Sequence, residues 1–175
     1  MYQIQSERLI LMALSCEEVT ILSESRNKLE SFLGLNLSNL QLNADDSFLE
    51  ELSTAITEFI LPMVKANQDN FQWFTQWLIV NKLENITIGG IGCNGLPDKN
   101  GEVMIGYYID KKYENKGYAT EATSCLIQWM SENPDLKSII ADTLTDGIQS
   151  QKVLQKAGFK LLGPVEEGIR WIYSK

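Results

Sequence analysis

The chain has 175 residues, 44% of them hydrophobic and 22% charged, the composition of one globular domain over residues 1–175. It starts with no secretory signal and has no run of about 18 apolar residues, so we expect a cytoplasmic protein with no membrane partner. A net charge of −8 argues against a nucleic-acid partner, because phosphate binding needs clustered Lys and Arg. The acidity either suits a cationic partner or serves only to keep the protein soluble.

The chain contains no histidine, which excludes His-based catalytic triads and histidine metal sites. Acid–base chemistry must then use carboxylates, Tyr, Cys, Lys or water. Three cysteines, Cys16, Cys93 and Cys125, lie far apart and form no CxxC pair, so they predict neither a disulfide framework nor a zinc site. We expect no bound metal.

The first part of the chain predicts one strand and two helices. Residues 7–14 have a strand pattern, and Ser15 with Glu18 forms a Ser-x-x-Glu capping box for a helix that runs to about Phe32. Asp45 and Asp46 signal a second helix, which Pro62 is expected to kink or end. Its apolar residues recur at helical spacing on one face: Phe48, Leu52, Ile56, Phe59, Ile60 and Met63.

The remainder of the chain predicts strands first and then alternating helices and strands. Residues 71–80, 86–93 and 101–110 read as hairpin-linked strands. Helices follow at residues 117–130 and 149–157, and strands at 138–143, 159–162 and 169–173. This order predicts an α/β fold with a mixed, mostly antiparallel central sheet and helices on both faces. The aromatic run Phe71, Trp73, Phe74 and Trp77 favours core packing over a substrate cage.

Two glycine-containing stretches are candidates for phosphate binding. Residues 90–95 match G-x-G-x-x-G, but turn residues follow where a dinucleotide site needs a helix, so that interpretation is set aside. The second stretch joins a strand to a helix, and Gly117 and Ala119 leave room for a pyrophosphate at the exposed N–H groups of the helix start. Lys112 or Lys116 could meet a ribose phosphate. An ordinary glycine-started helix is the equal alternative.

The stretch from Tyr107-Tyr108-Ile109-Asp110 to Lys116-Gly117-Tyr118-Ala119-Thr120-Glu121-Ala122 resembles the acetyl-CoA motif of GNAT acetyltransferases, Q/R-x-x-G-x-G/A. Further segments resemble the ribosomal-protein-alanine N-acetyltransferase branch: Glu7-Arg8-Leu9-Ile10-Leu11, Gly89-Gly90-Ile91-Gly92, Ile105-Gly106-Tyr107 and residues 150–159. The resemblance implies acetyl transfer from acetyl-CoA to a primary amine, either a protein N-terminus or a small molecule, and a possible homodimer. The alternative is a non-catalytic CoA-binding sensor or scaffold of the same fold.

The resemblance also assigns site residues. Acetyl-CoA is expected to contact the strand at Tyr107, Tyr108 and Ile109 and the loop at Glu114, Asn115, Lys116, Gly117, Tyr118, Ala119 and Thr120. Asp142 is the expected proton acceptor or else a solvated strand-end carboxylate, with Glu102, Glu166 and Glu167 in reserve. Ser150 is expected to return a proton to the departing thiolate or to act as a helix cap or first-turn hydroxyl.

Three positions depart from the family pattern. Glu114 stands where the motif has Gln or Arg, Gly147 where the family often has Asn, and Leu154 where many relatives carry a Tyr proton donor. The loops that receive the amine are expected within residues 29–70 and 163–169.

Overall fold

One eight-stranded sheet forms the centre of the computed structural model, which describes residues 2–44 and 46–175. In sheet order the strands are β1 (Tyr2–Gln5), β2 (Leu9–Ala13), β3 (Gln76–Asn81), β4 (Ile86–Cys93), β5 (Glu102–Ile109), β6 (Ser138–Thr143), β8 (Gly168–Ser174) and β7 (Lys160–Val165). Only β5 and β6 pair in parallel, and the other neighbours in this described sheet are antiparallel. The mixed, mostly antiparallel sheet is confirmed.

Helices cover both faces of the sheet, as the sequence predicted. They are α1 (Cys16–Glu24), α2 (Arg26–Phe32), α3 (Asp46–Thr54), α4 (Leu61–Ala66), α5 (Tyr118–Met130) and α6 (Ile148–Lys156). A π-helical turn, Ala55–Ile60, joins α3 to α4, and short 3₁₀ helices occupy Gln68–Trp73 and Lys111–Tyr113. No helix within the described ranges is long and apolar enough to cross a membrane.

The alternation of side chains along the strands divides the core into two parts. Leu11 and Ile79 belong to the part that α5 and α6 cover, whereas Met12 and Leu78 belong to the part that α1 and α2 cover. Adjacent residues of a strand point to opposite faces, so neighbouring apolar residues are buried on both sides of the sheet. The continuous apolar character of β3, which is buried throughout, follows from this arrangement.

The N-terminal region differs from the prediction in two places. The capping box is confirmed, with the Ser15 N–H donating to Glu18 Oε2 at 2.6 Å. The prediction of a single helix to Phe32 is wrong. Ser25 is extended and caps a new helix, because its side chain accepts a hydrogen bond from the Lys28 N–H. Strand β1 was missed because its polar Tyr-Gln-Ile-Gln sequence lies at an exposed sheet edge. Asp45 lies outside the described residues, and α3 begins at Asp46.

The predicted apolar face of the second helix is only partly correct. The Leu61 N–H bonds to the Ile56 carbonyl, five residues back, and this π-helical spacing rotates the following residues out of phase with an α-helix. Ile56 is buried, but Phe59 is 66% exposed and Met63 42% exposed. Pro62 does not end the helical stretch, because it lies in the first turn of α4, where its missing N–H is tolerated.

The aromatic run forms a 3₁₀ helix before it forms a strand. Residues 71–73 belong to the helix Gln68–Trp73, and β3 begins only at Gln76. Trp73 and Trp77 are buried in the core, which confirms core packing for both. Phe71 and Phe74 are partly buried and contact both parts of the core.

Candidate active site

A gap opens between the two parallel strands of the sheet. Strands β5 and β6 pair only where residues 102–104 meet residues 138–140. Hydrogen bonds from Asp110 N–H to Ile88 O (2.8 Å) and from Asn94 N–H to Met104 O (3.0 Å) fix which backbone groups of β5 face β4. Because these groups alternate along an antiparallel pair, the N–H and C=O groups of residues 105, 107 and 109 point into the gap.

The loop after β5 presents further backbone donors beside this gap. Gly117 has φ +82° and is the N-cap of α5, and Asn115 is also left-handed at φ +59°. The first hydrogen bond of α5 runs from the Glu121 N–H to the Gly117 carbonyl at 3.0 Å. The N–H groups just before Glu121 therefore have no carbonyl partner within the helix. With the positive end of the helix dipole, this geometry favours an anion.

A first cleft of ≈ 550 Å³ connects the loop to the gap. It is lined by nearly all of the residues that the sequence assigned to the site: Tyr107, Tyr108, Ile109, Glu114, Asn115, Gly117, Tyr118, Ala119, Thr120, Asp142 and Ser150. Lys116 is not among them, and its Nζ lies 5.3 Å from the ring centroid of Tyr113. Sequence reasoning missed Lys152 and Lys156, although their spacing places both on one face of α6.

A second cleft of ≈ 500 Å³ adjoins the first. Its walls are largely apolar, with Leu52, Ile60, Phe74, Ile91 and Met104 among them. The two clefts share six residues, which mark their junction: Phe48, Tyr107, Tyr108, Asp142, Thr143 and Ser150. The predicted acceptor segment 29–70 contributes to the second cleft, whereas residues 163–169 line neither cleft.

Asp142 forms an ion pair at this junction. Arg170, its direct cross-strand neighbour on β8, donates from Nε to Oδ1 at 2.8 Å and from Nη2 to Oδ2 at 2.8 Å. The hydrogen bond with Asp142 raises the pKa of Arg170 above its ordinary value. Asp142 is thus a paired carboxylate rather than simply a solvated one. Arg170 was missed, because residues 28 positions apart give no local signal of contact.

Ser150 and Tyr107 meet on the α6 side of the junction. The Tyr107 hydroxyl donates to the backbone carbonyl of Ser150 at 3.2 Å, and burial raises the pKa of Tyr107 to about 12. Tyr107 therefore stays protonated at neutral pH and cannot serve as a base there. Ser150 is the third residue of α6 and lies in its first turn, since Gly147 occupies the N-cap. Leu154, at the family's Tyr position, is fully buried in the core.

Tyr108 occupies the opposite side of the junction. Its hydroxyl oxygen accepts hydrogen bonds from Gln76 Nε2 and from Arg26 Nη2, the latter at 3.1 Å. Gln76 lines the second cleft, and neither Gln76 nor Arg26 was singled out from the sequence. The described residues contain no group of three or more His, Cys, Asp or Glu side chains placed to hold a metal ion.

Comparison with known proteins identifies the family. Residues 40–160 match the family model described as acetyltransferase (GNAT) domain. An uncharacterised N-acetyltransferase, YjdG of Bacillus subtilis (strain 168), is 32% identical over 173 residues, which cover 99% of this chain and 98% of that protein.

Two solved structures share the fold across the chain. A ribosomal-protein-S5-alanine acetyltransferase from Vibrio fischeri has 18% identity and a TM-score of 0.66, covering 99% of this chain and 97% of that one. RimL, a ribosomal L7/L12 alpha-N-protein acetyltransferase in complex with coenzyme A, has 18% identity and a TM-score of 0.68, with the same 99% and 97% coverage. The chain therefore belongs to the GNAT family of acetyltransferases, enzymes whose co-substrate is acetyl-CoA.

Proposed function

We propose that this enzyme transfers an acetyl group from acetyl-CoA in the first cleft to a primary amine in the second. The observation that carries the proposal is the meeting of the two clefts at the open gap between β5 and β6. The pyrophosphate lies on the loop at residues 114–120, where backbone donors and the α5 dipole favour an anion. The pantetheine arm follows β5. Its amide groups can form hydrogen bonds with the unpaired backbone groups of Tyr107 and Ile109, in place of the bonds that a neighbouring strand would make.

The reaction needs no covalent bond to the protein. The amine nitrogen attacks the thioester carbonyl carbon, the carbon–sulfur bond breaks, and CoA leaves as a thiolate. A backbone N–H of β5 in the gap polarises the carbonyl oxygen on which negative charge develops. Two clefts that end at one junction hold the reactants together, and this proximity supplies much of the rate acceleration.

Two side chains at the junction are proposed to handle protons. An alkyl ammonium has a pKa near ~10, so the amine must lose a proton before it can attack. We assign its removal to Asp142, which lines both clefts. Asp142, which also accepts two hydrogen bonds from Arg170, then passes the proton on to water. Ser150 is proposed to return a proton to the thiolate.

The second cleft supports an amine that carries an apolar group. Its apolar walls would bury such a group, and a protein N-terminus with a small apolar first residue meets this requirement. Both solved relatives named above are acetyltransferases of ribosomal proteins, which supports a protein N-terminus as one candidate.

Release of CoA thiol from acetyl-CoA, measured against a panel of amines, tests the proposal. The panel contains short peptides with different first residues, a polyamine and an aminoglycoside, and mass spectrometry identifies the acetylated product. We expect thiol release that depends on the amine. Acetyl-CoA binding without amine-dependent thiol release would contradict the proposal.

A variant in the second cleft separates the two binding steps. Gly106 lines the second cleft and not the first, and a Cβ added there meets no atom within 4 Å. Gly106→Leu should therefore fill part of the second cleft without straining the strand. We expect a higher KM for the amine and an unchanged Kd for acetyl-CoA.

A further inference from the structure

The turn between β1 and β2 lies against the loop at residues 114–120. The Glu121 carboxylate, in the first turns of α5, accepts three hydrogen bonds from this turn: from Ser6 Oγ, from the Arg8 N–H and from Arg8 Nε, each at 2.7 Å. Glu121 thereby holds Arg8 at two points, its backbone N–H and its guanidinium, and so orients the side chain. The hydrogen bond with Glu121 also raises the pKa of Arg8 above its ordinary value.

From this position Arg8 reaches the loop itself. Its Nη1 donates to the backbone carbonyl of Lys116 at 3.1 Å, and its guanidinium carbon lies 4.3 Å from the ring centroid of Tyr118. A cation over an aromatic face is attracted to it, which adds a second point of attachment. Arg8 itself does not line the first cleft, whereas the two loop residues beside it, Gly117 and Tyr118, both do.

The hydrogen bond to Lys116 fixes the direction of one particular peptide group. A trans peptide is planar, and its C=O and N–H point in opposite directions. With the Lys116 carbonyl held on the Arg8 side, the N–H of Gly117 points away from Arg8, and Gly117 itself lines the first cleft. In this orientation the N–H is available as a donor to an anion bound in the cleft.

The same peptide group would be free to turn over without this contact. Gly117 sits at φ +82°, and glycine adopts positive and negative φ with similar ease. A rotated peptide would present the Lys116 carbonyl oxygen to the cleft and repel a phosphate. Glu114, at the start of the loop, adds further negative charge where the family pattern has Gln or Arg.

We infer that Arg8, oriented by Glu121, is a positioning residue that locks the Lys116–Gly117 peptide with its N–H toward the pyrophosphate of acetyl-CoA. The inference rests on the proposed binding of acetyl-CoA in the first cleft. Phosphate affinity at the start of α5 is then controlled by a residue in the turn between β1 and β2, more than a hundred positions away in sequence.

The test compares two acetyl donors on the same variants. Acetyl-CoA carries the pyrophosphate, and S-acetyl-pantetheine lacks it. Arg8→Met removes the lock, and we expect Kd for CoA to rise by roughly 10-fold or more, since a hydrogen bond to a charged group is lost. The kcat/KM for S-acetyl-pantetheine should stay unchanged. Arg8→Lys keeps the charge but cannot bind Glu121 and Lys116 together, so it should resemble Arg8→Met.

Two further variants serve as controls for the effect of Arg8. Glu121→Gln leaves Arg8 intact but weakens its orientation, and a smaller rise in the Kd for CoA is expected. Lys28→Met removes the exposed ion pair between Lys28 and Glu24, neither of which lines the first cleft, and should change neither the Kd for CoA nor the kcat/KM for S-acetyl-pantetheine. A variant whose unfolding midpoint equals that of Lys28→Met is taken to have normal stability.

The outcomes discriminate clearly. Equal losses for both donors in folded Arg8→Met would show a general structural role and overturn the inference, as would an unchanged Kd for CoA. Full recovery in Arg8→Lys would show that charge alone matters and would also overturn the peptide lock. Wild-type enzyme that uses both donors equally well would instead refute the pyrophosphate site, and with it the proposed location of acetyl-CoA.

Discussion

Replacing Gly117 with alanine should separate the stability of the loop from its ability to bind acetyl-CoA. Gly117 has φ +82°, and an added Cβ would meet only Arg8 Nη2, at 3.4 Å. Steric crowding is therefore modest, and the main effect is the cost of about 1–2 kcal/mol for placing a non-glycine residue in the left-handed region. For a domain of this size, that corresponds to a lower Tm by roughly 2–8 °C.

The same substitution should weaken acetyl-CoA binding. An alanine that relaxes toward negative φ turns backbone donors away from the cleft, and each lost hydrogen bond to a charged phosphate costs about 1.5–3 kcal/mol. A single lost bond therefore raises Kd roughly 10- to 100-fold. Gly117→Val should exceed both effects, because a β-branched residue is still less compatible with positive φ.

Gly34 offers a matched control for backbone strain. It has φ +69°, nothing lies within 4 Å of an added Cβ, and it does not line the first cleft. Gly34→Ala should lower stability by a similar amount while leaving acetyl-CoA affinity intact. Denaturant unfolding and titration calorimetry measure the two quantities. An unchanged Kd in folded Gly117→Ala would refute phosphate binding at this loop.

The remaining predictions concern acid–base groups. Asp142→Asn should lower kcat/KM by on the order of 10² to 10⁴ at neutral pH, and the deficit should shrink at high pH, where the amine is already deprotonated. Arg170→Gln breaks the same ion pair but keeps the carboxylate, so it should lower kcat/KM far less. Equal losses in the two variants would show that the ion pair has a structural role. Ser150→Ala should reduce kcat less than Asp142→Asn, because water can also protonate a thiolate, and a larger loss would contradict this. Burial alone would raise the pKa of Glu121, but hydrogen bonds from Arg8 and Ser6 lower it below its ordinary value. Its stabilising contribution should therefore be complete at pH values above the ordinary pKa of a glutamate and disappear as pH falls through the lowered pKa. Urea unfolding of wild type and Glu121→Gln at pH 7 and pH 3 would measure this.

Local patterns in the sequence predicted the parts of the fold that depend on near neighbours. The capping box of Ser15 and Glu18 involves residues three positions apart, and it forms as predicted. Strands β4, β5 and β6 and helix α5 also agree closely with their predicted ranges, because period and turn residues are local properties. The π-helical turn before Pro62 was beyond such rules, since a helical period assumes a constant number of residues per turn.

The candidate site divides in the same way. The sequence alone pointed to the glycine turn at Gly117 and the strand that leads to it, because a turn of glycine and small residues directly between a strand and a helix is a local pattern. Only the tertiary structure decided that Asp142 is paired with Arg170 and that Arg8 reaches the Lys116 carbonyl. Those contacts depend on strand register and on the packing of α5 against the β1–β2 turn, and both are set by the whole chain rather than by neighbouring residues.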